Sequence, residues 1–444
     1  MVEFERETWA TRIGFIAASV GSAVGLGNVW RFPFQTATNG GAAFLVVYLI
    51  AVVVVGFAAL LAEFVVGRRA GLNVVDAFPE LGYPRWRLVG ALGLATGFVV
   101  LSYYSVIGGW VIRYILGSVT GAYFGAPEAY FGTVSVGVDA VGFHAVFMLL
   151  TVGIVALGVQ EGIEVATKVM VPSIVLLMVG LAAYAATLTG AAAGYDYFLS
   201  PDVGTLTANL GSVIPAAVGQ ALFSLSLGFG IMITYASYIG EDENLGVDGI
   251  SIAAFNTFVG VLAGFVVFPL LFAQGVSPET AGPGAVFVSV PTALAALPGG
   301  RLLGIAFFGI VLIAALSSSI SLLEVVVSYV VDHYAVGRVP TAVAIGVVLF
   351  VLGVPSALET AWLGWADSLA VNLLLPLEVL LVVAFVGWVL AEDAVAEIGL
   401  GTDGVPTLGP AWLWTVRTVV FVAVAGTLVL GLLQLAESGF LPPV

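Results

Sequence analysis

The chain has no cysteine among its 444 residues, which excludes a disulfide framework and any thiolate metal site. Charge is nearly as scarce. Asp, Glu, Lys and Arg together make 9% of residues, where a soluble protein carries about 25%. Lysine occurs once, as Lys168, and no basic patch is present to grip phosphate, so nucleic acid is not an expected partner. A Ser-His-Asp set, a metal motif and a phosphate loop in a polar cavity are also missing, which argues against a membrane enzyme. The first apolar run starts behind Glu3, Glu5, Arg6, Glu7 and Arg12 with no small-residue cleavage site. It is therefore expected to remain as a helix rather than leave as a signal peptide.

Apolar sequence fills the chain instead. A hydrophobic fraction of 61% and a mean hydropathy of +1.15 predict an all-α polytopic membrane protein in contact with a lipid bilayer. Segments of about 20 apolar residues span a bilayer. Eleven are counted, at roughly 10–36, 41–67, 88–120, 140–158, 162–188, 210–239, 247–274, 299–331, 339–354, 362–391 and 411–436. Residues 277–300 hold Pro278, Pro283, Pro291 and Pro298 and read as a re-entrant or surface-capping loop. Only 8 residues follow position 436, so a single transmembrane domain over 1–444 is expected, with no soluble domain at either end.

The net charge is −15. Acid clusters such as Glu241-Asp242-Glu243 with Asp248, and Glu392-Asp393 with Glu397, read as solvated loop faces. An acidic, lysine-poor surface suits a high-salt cytoplasm, where screening suppresses self-repulsion, so a salt-loving source is expected. With the N-terminus inside, nine of the 12 basic residues fall on cytoplasmic flanks, which predicts a multi-pass plasma-membrane protein with a cytoplasmic N-terminus. Eleven spans then put the C-terminus outside.

One stretch breaks the apolar pattern. Gly21-Ser22-Ala23-Val24-Gly25-Leu26-Gly27-Asn28-Val29-Trp30-Arg31-Phe32-Pro33 lies in the middle of the first span. Glycine weakens a helix and exposes its backbone, which hydrocarbon tolerates only where the loosened backbone lines a protein-enclosed cavity. Five helices later, Gln220-Ala221-Leu222-Phe223-Ser224-Leu225-Ser226-Leu227-Gly228-Phe229-Gly230 interrupts the sixth span in the same way. An odd number of spans per half inverts the second half, so a 5+5 inverted repeat is expected, about 10–190 and 210–391, with 411–436 as an additional helix. Paired interrupted helices in inverted halves point to a transport site at the membrane midplane.

These residues resemble the neurotransmitter:sodium symporter family. Arg6-Glu7-Thr8-Trp9-Ala10-Thr11-Arg12, Ala23 through Pro33, and Asn39-Gly40-Gly41-Ala42-Ala43-Phe44 carry the likeness, with Ser224 through Gly230 and Ala314-Ala315-Leu316-Ser317-Ser318-Ser319 in support. The match is closest to its prokaryotic amino-acid transporters, such as the bacterial leucine transporter. The midplane-site rule was drawn in part from this family, so it adds no independent support. The resemblance implies a sodium-coupled symporter that imports a neutral, hydrophobic amino acid by alternating access. An amino-acid sensor without transport, or a same-fold transporter of another small amine, is the alternative.

The resemblance also implies site residues. The first of two sodium ions would take the Ala23 carbonyl, Asn28, Ser224 and Asn256, with the substrate carboxylate completing its shell. The second would take the carbonyls of Gly21, Val24 and Ala314 and the hydroxyls of Ser317 and Ser318. The substrate carboxylate would meet the amides of Leu26 and Gly27 and the Tyr104 hydroxyl, and its ammonium the carbonyls of Ala23, Phe223 and Ser226. Its side chain would fill a pocket of Val100, Tyr104, Phe223, Phe229, Ser318 and Leu322, with Gly25 and Ser226 below and Ser22 tuning its volume. Arg31 with Asp367 would form the outer gate, and Arg6 with Asp332, supported by Tyr238 and Trp9, the inner one. Tyr48, Gln220 and Ser224 match the chloride region, but Gly260 stands where a second hydroxyl or an acid is expected, which leaves chloride dependence open.

Gly162 and Pro172 are read either as a plain kink or as a segment that unwinds. Of the intramembrane carboxylates, Glu63 matches a position that braces the broken-helix amides, Glu324 suggests proton coupling, and Glu378 has no assigned role. His144 reads as structural. The substrate itself, the ion stoichiometry and the oligomeric state, a homodimer included, are not legible.

Overall fold

The computed structural model describes residues 8–276, 278, 285–402, 409–437 and 441–443. Among the described residues, nine helices are long and apolar enough to cross a membrane: Ala42–Ala70, Pro84–Thr120, Gly137–Ala156, Val159–Ala186, Leu245–Ala273, Gly300–Tyr334, Arg338–Leu358, Thr360–Leu390 and Gly409–Glu437. A tenth is the bent pair Arg12–Ala23 and Gly27–Thr38, which meet at 45°. The sixth expected span is divided into Val203–Ser224 and Ile231–Ala236, with residues 225–230 outside either helix. By length and composition ten spans are therefore met, and the eleventh is present only in two pieces.

Burial sorts these helices into an interior and a rim. Gly300–Tyr334 is 89% buried along its apolar centre, whereas Gly409–Glu437 is only 22% buried. The small-residue run from Ala314 to Ser319 explains the first value, because small side chains let several helices approach at once. His144, fully buried, stacks on Phe350 and its Nε2 lies 3.1 Å from the Phe350 carbonyl, in keeping with a structural role. The described part of 277–300 does not span. It forms Val290–Ala295, while Phe287 packs on Trp110, Tyr114 and Phe131.

Gly162 has a packing reason as well. A Cβ there would fall 2.2 Å from the Ile154 carbonyl oxygen, so only glycine lets the fifth span start so close to the fourth. Pro172 lies inside the continuous helix Val165–Ala186.

Candidate functional site

The two breaks face each other in the middle of the bundle. After Ala23 the first helix is left at Val24 (φ −82°, ψ 78°), and the chain re-enters a helix at Gly27. Across from it the sixth helix ends at Ser224, and Ser226, Gly228 and Gly230 take positive φ values of 55°, 83° and 71°. Left-handed backbone costs a non-glycine residue about 1–3 kcal/mol and persists only where its surroundings hold it. Here they do. The Ser226 hydroxyl donates to the Ser22 carbonyl at 3.0 Å, and the Ser22 hydroxyl donates to Ser226 Oγ at 3.2 Å. The Ser318 hydroxyl donates to the same Ser22 carbonyl at 2.8 Å.

Oxygen atoms crowd at one side of this crossing. The Asn256 side-chain oxygen faces the carbonyl oxygens of Ser224 at 2.9 Å and Ala23 at 3.1 Å. Such oxygens repel one another unless the amide turns over to donate or a cation sits among them. Asn28 Nδ2 lies 2.8 Å from the same Asn256 oxygen, and the Tyr48 hydroxyl 3.1 Å from Ser224 Oγ. The four residues implied for the first sodium are thus gathered at one point, and they fit a hard cation that prefers uncharged oxygen ligands. Gln220 Nε2 donates to the Gly27 carbonyl at 2.8 Å. A Cβ on Gly260 would reach within 3.5 Å of Asn28, so both stand in the same neighbourhood.

The second set is brought together in part. Ser317 Oγ lies 3.0 Å from the Ala314 carbonyl and 3.5 Å from that of Val24, and a Cβ on Gly21 would stand 3.5 Å from Ser317 Cβ. Ser318 departs from the expectation. Its hydroxyl is turned to Ser22 and toward a small cavity instead.

That cavity measures about 30 Å³ and is lined by Ser22, Ala23, Gly25, Gly27, Val100 and Tyr104. Phe223, Ser226, Phe229, Ile231, Ser318 and Leu322 complete it. Eleven of these twelve were expected; Leu26 and Ser224 lie outside it, and Ile231 was missed although it directly follows the Gly230 break. The volume suits about one or two water molecules, so an amino acid requires the walls to part. Gly25 is demanded by the packing, since a Cβ there would come 2.1 Å from Ser318 Oγ. The Leu26 amide donates to the Tyr104 hydroxyl at 3.2 Å, which ties the third span to the first break.

Phe223 separates this cavity from a second one of about 160 Å³, which Arg31, Tyr103 and Asp367 also line. The expected Arg31–Asp367 ion pair is not made. The Arg31 guanidinium lies 4.8 Å over the Phe223 ring and its buried Nε has no partner. Asp367 accepts from the Tyr103 hydroxyl at 2.9 Å instead. The physical reason is that both side chains line the same open cavity of about 160 Å³ and each is answered there by an aromatic neighbour.

At the other end Arg6 lies outside the described residues, so its pairing with Asp332 does too. Trp9 Nε1 donates to the Tyr235 carbonyl at 3.0 Å, and its ring meets Tyr238 edge-on at 5.9 Å. Asp332 accepts from Asn73 at 3.3 Å. Glu324 is ion-paired with Arg338 and accepts from the Tyr238 hydroxyl at 3.0 Å. Glu63 braces the sixth-helix break as expected, accepting from the Gly228 amide at 2.9 Å.

Sequence reasoning missed Glu164. It accepts from the Ala10 amide at 2.9 Å and the Thr11 hydroxyl at 2.8 Å, and pairs with Lys168 at 2.6 Å. The Thr11 hydroxyl in turn accepts from the Gly14 amide and caps the first helix. An acid at a span's polar end offers no signal by itself.

A model of the Sodium:neurotransmitter symporter family matches residues 6–125 and 132–438. The sodium-dependent transporter YhdH of Bacillus subtilis, itself described as uncharacterized, is 35% identical over 442 residues, covering 96% of this chain and 97% of that one. An uncharacterized sodium-dependent transporter of Haemophilus influenzae is 33% identical, covering 89% and 92%. The crystal structure of MhsT in complex with L-phenylalanine superposes with a TM-score of 0.87 at 39% identity, covering 96% of this chain and 99% of that one.

Proposed function

The chain belongs to the sodium:neurotransmitter symporter family, whose members are sodium-coupled membrane transporters rather than enzymes, and on that premise we propose that it imports a neutral, hydrophobic amino acid with sodium. The observation that carries this reading is the place of Ala23. Its carbonyl stands 3.1 Å from the end of the Asn256 side-chain amide, which also meets the Ser224 carbonyl at 2.9 Å, and the same residue lines the central cavity. A cation in that cluster and a carboxylate in that cavity would neutralise each other, so each stabilises the other in a medium that tolerates neither alone.

The cavity walls are apolar or hydroxyl-bearing and carry no charged side chain, which favours a neutral side chain over an acidic or basic one. The freed amides at Leu26 and Gly27 begin a half-helix whose positive end attracts the carboxylate. A relative 39% identical binds L-phenylalanine, which supports a hydrophobic substrate here. The second ion would rest among Gly21, Val24, Ala314 and Ser317, with Ser318 turning to join it as the cavity opens.

Transport would run by alternating access. The segment Gly27–Arg31, with Phe223, closes over the substrate as Arg31 reaches Asp367, and the Trp9 and Tyr238 contacts part on the opposite side. The inverted halves 10–190 and 210–391 would rock about the two breaks, with the N-terminus cytoplasmic. Proteoliposomes loaded without sodium and placed in a sodium gradient test the reading. Accumulation of Leu, Met or Phe that collapses with the gradient is expected; no sodium-driven accumulation of any neutral amino acid overturns it, and binding without flux favours a sensor.

A further inference from the structure

A wide space lies away from the central cavity, between the spans Thr360–Leu390 and Gly409–Glu437. It measures about 700 Å³ and is lined by Arg417, Glu392, Asp393, Trp414, Leu390 and Leu413, among others. Ligand clefts ordinarily fall between about 300 and 1,000 Å³. Arg417 stands at its deep side, 8 residues after Gly409 where the last span starts, or about 12 Å along the helix. The side chain is half-buried, and its Nε donates to the Gly387 carbonyl. Among the described residues its two terminal amino groups meet no acceptor. A guanidinium within a span is costly unless it is paired or reaches the interface.

The mouth of the groove is acidic. The chain leaves Thr360–Leu390 through Ala391, whose φ is 43°, and begins the short helix Glu392–Gly399 there. Asp393 pairs with Arg69 at 3.0 Å, whereas Glu392 is exposed and has no ion-pair partner among the described residues. The charges are thus ordered by depth, a cation inside and an acid at the surface. Trp414 and Trp388, both exposed, flank this zone, and Trp388 meets Phe421 edge-on at 5.0 Å. Tryptophan favours the headgroup level of a bilayer. Trp414, Arg417 and Phe421 recur at three- and four-residue spacing and so share one helix face. Arg68 fixes the side of the membrane, because it joins Glu397 of the short helix to the Glu243 carbonyl, and Glu243 pairs with Arg12 at the start of the first helix.

We propose that this groove binds one zwitterionic phospholipid of the phosphoethanolamine type, drawn from the leaflet on the Arg12 side. In a leaflet the phosphate lies deeper than the group that ends the headgroup, and the groove has the complementary order. The phosphate takes the two terminal amino groups of Arg417, which answers the charge that Gly387 only half satisfies. The ammonium donates to Glu392 while Asp393 stays with Arg69. A headgroup ending in a neutral polyol also satisfies Arg417 but leaves the acid at the mouth unanswered. The site is remote from Ala23 and does not depend on what the chain transports.

Native mass spectrometry of the purified full chain tests this, with dioleoyl phosphatidylethanolamine, phosphatidylcholine or phosphatidylglycerol added in detergent. One phosphatidylethanolamine is expected to be retained, about fivefold more tightly than phosphatidylglycerol, since an exposed charge pair contributes little more. Phosphatidylcholine should bind less well than phosphatidylethanolamine, because its methylated ammonium has no hydrogen to donate. Glu392→Gln is expected to remove the preference while retaining the lipid, and Arg417→Gln to weaken all three lipids about tenfold. Equal retention of the three lipids, a preference that survives Glu392→Gln, or retention untouched by Arg417→Gln overturns the proposal. Soluble phosphoethanolamine binding as tightly as the lipid overturns it too, by making the site one for a free phosphate ester. Should Arg417→Gln fail to fold, the exposed Glu392→Gln still decides the outcome.

Discussion

A Cβ on Gly14 would stand 2.2 Å from the carboxyl carbon of Glu164. The fifth span thus reaches into the first helix at a notch that only glycine leaves open, and it grips the Ala10 amide and the Thr11 hydroxyl there. Gln160 adds a hydrogen bond to the Thr8 carbonyl at 2.8 Å. Movement of the start of the fifth span must therefore pull on the N-terminal half-helix. Hydrogen bonds to a charged group contribute about 2 kcal/mol, so Glu164→Ala is expected to shift the first helix outward by more than tenfold in population. Gly14→Ala should do the same by expelling the carboxylate. Because the chain lacks cysteine, paired spin labels at Ile13 and Leu157 can report the distance directly; unchanged distances in both variants would count against the latch.

The oxygen cluster predicts a sodium-specific stabilisation. Sodium that binds the folded state raises its melting temperature in proportion to the logarithm of concentration. Asn256→Leu removes the side-chain amide facing Ala23 and Ser224 and is expected to weaken sodium dependence at least tenfold, about 1.4 kcal/mol. Melting curves in NaCl against KCl give the measurement.

Gly25 sets how close Ser318 and Tyr104 approach. Gly25→Ala is expected to cut amino-acid binding more than tenfold while the protein still folds, since the new methyl can displace the Ser318 hydroxyl. Gly25→Ala combined with Ser318→Ala should recover part of the loss. No recovery in a radioligand binding assay would place the fault in the backbone instead.

Arg31 and Asp367 are apart in this state. Asp367→Asn is therefore expected to change the melting temperature of the ligand-free protein little, with Tyr103 still bonded. Sodium-driven uptake should fall by tenfold or more, because the gate must close over substrate. A large loss of ligand-free stability would mean the pair already matters at rest.

Asp76, on the short helix Val74–Glu80, is the clearest acid-sensitive group outside the spans. Burial pushes its carboxyl up, but hydrogen bonds from Arg87, Asn73 and His333 outweigh that and hold it below the usual carboxylate value. A depressed folded value contributes stability above the unfolded value and loses it as pH falls through the folded one. Melting temperature should hold near neutrality and fall once pH drops below the ordinary aspartate range, and Asp76→Asn should flatten that acid limb.

Much of this was legible without a fold. Hydropathy placed Ala42–Ala70 and Gly300–Tyr334 within a few residues, because a bilayer demands long apolar helices whatever their neighbours. The breaks at Val24 and at Ser226–Gly230 were legible for a similar reason: glycines clustered with Ser and Asn weaken a helix inside an apolar span. From those breaks the residues around Ala23, Asn28, Ser224 and the cavity followed by resemblance, and their convergence needed only that two broken helices cross.

What tertiary structure alone decided are the partners of isolated charges. Nothing in the sequence pairs Glu324 with Arg338, parts Arg31 from Asp367 or seats Glu164 in the notch at Gly14. A span's apolar pattern says that an embedded charge must be answered, and the answering group can come from any helix that packs beside it. Which helix that is depends on rotation and register within the bundle, set by close packing of many small side chains at once, and no local stretch of sequence carries that information.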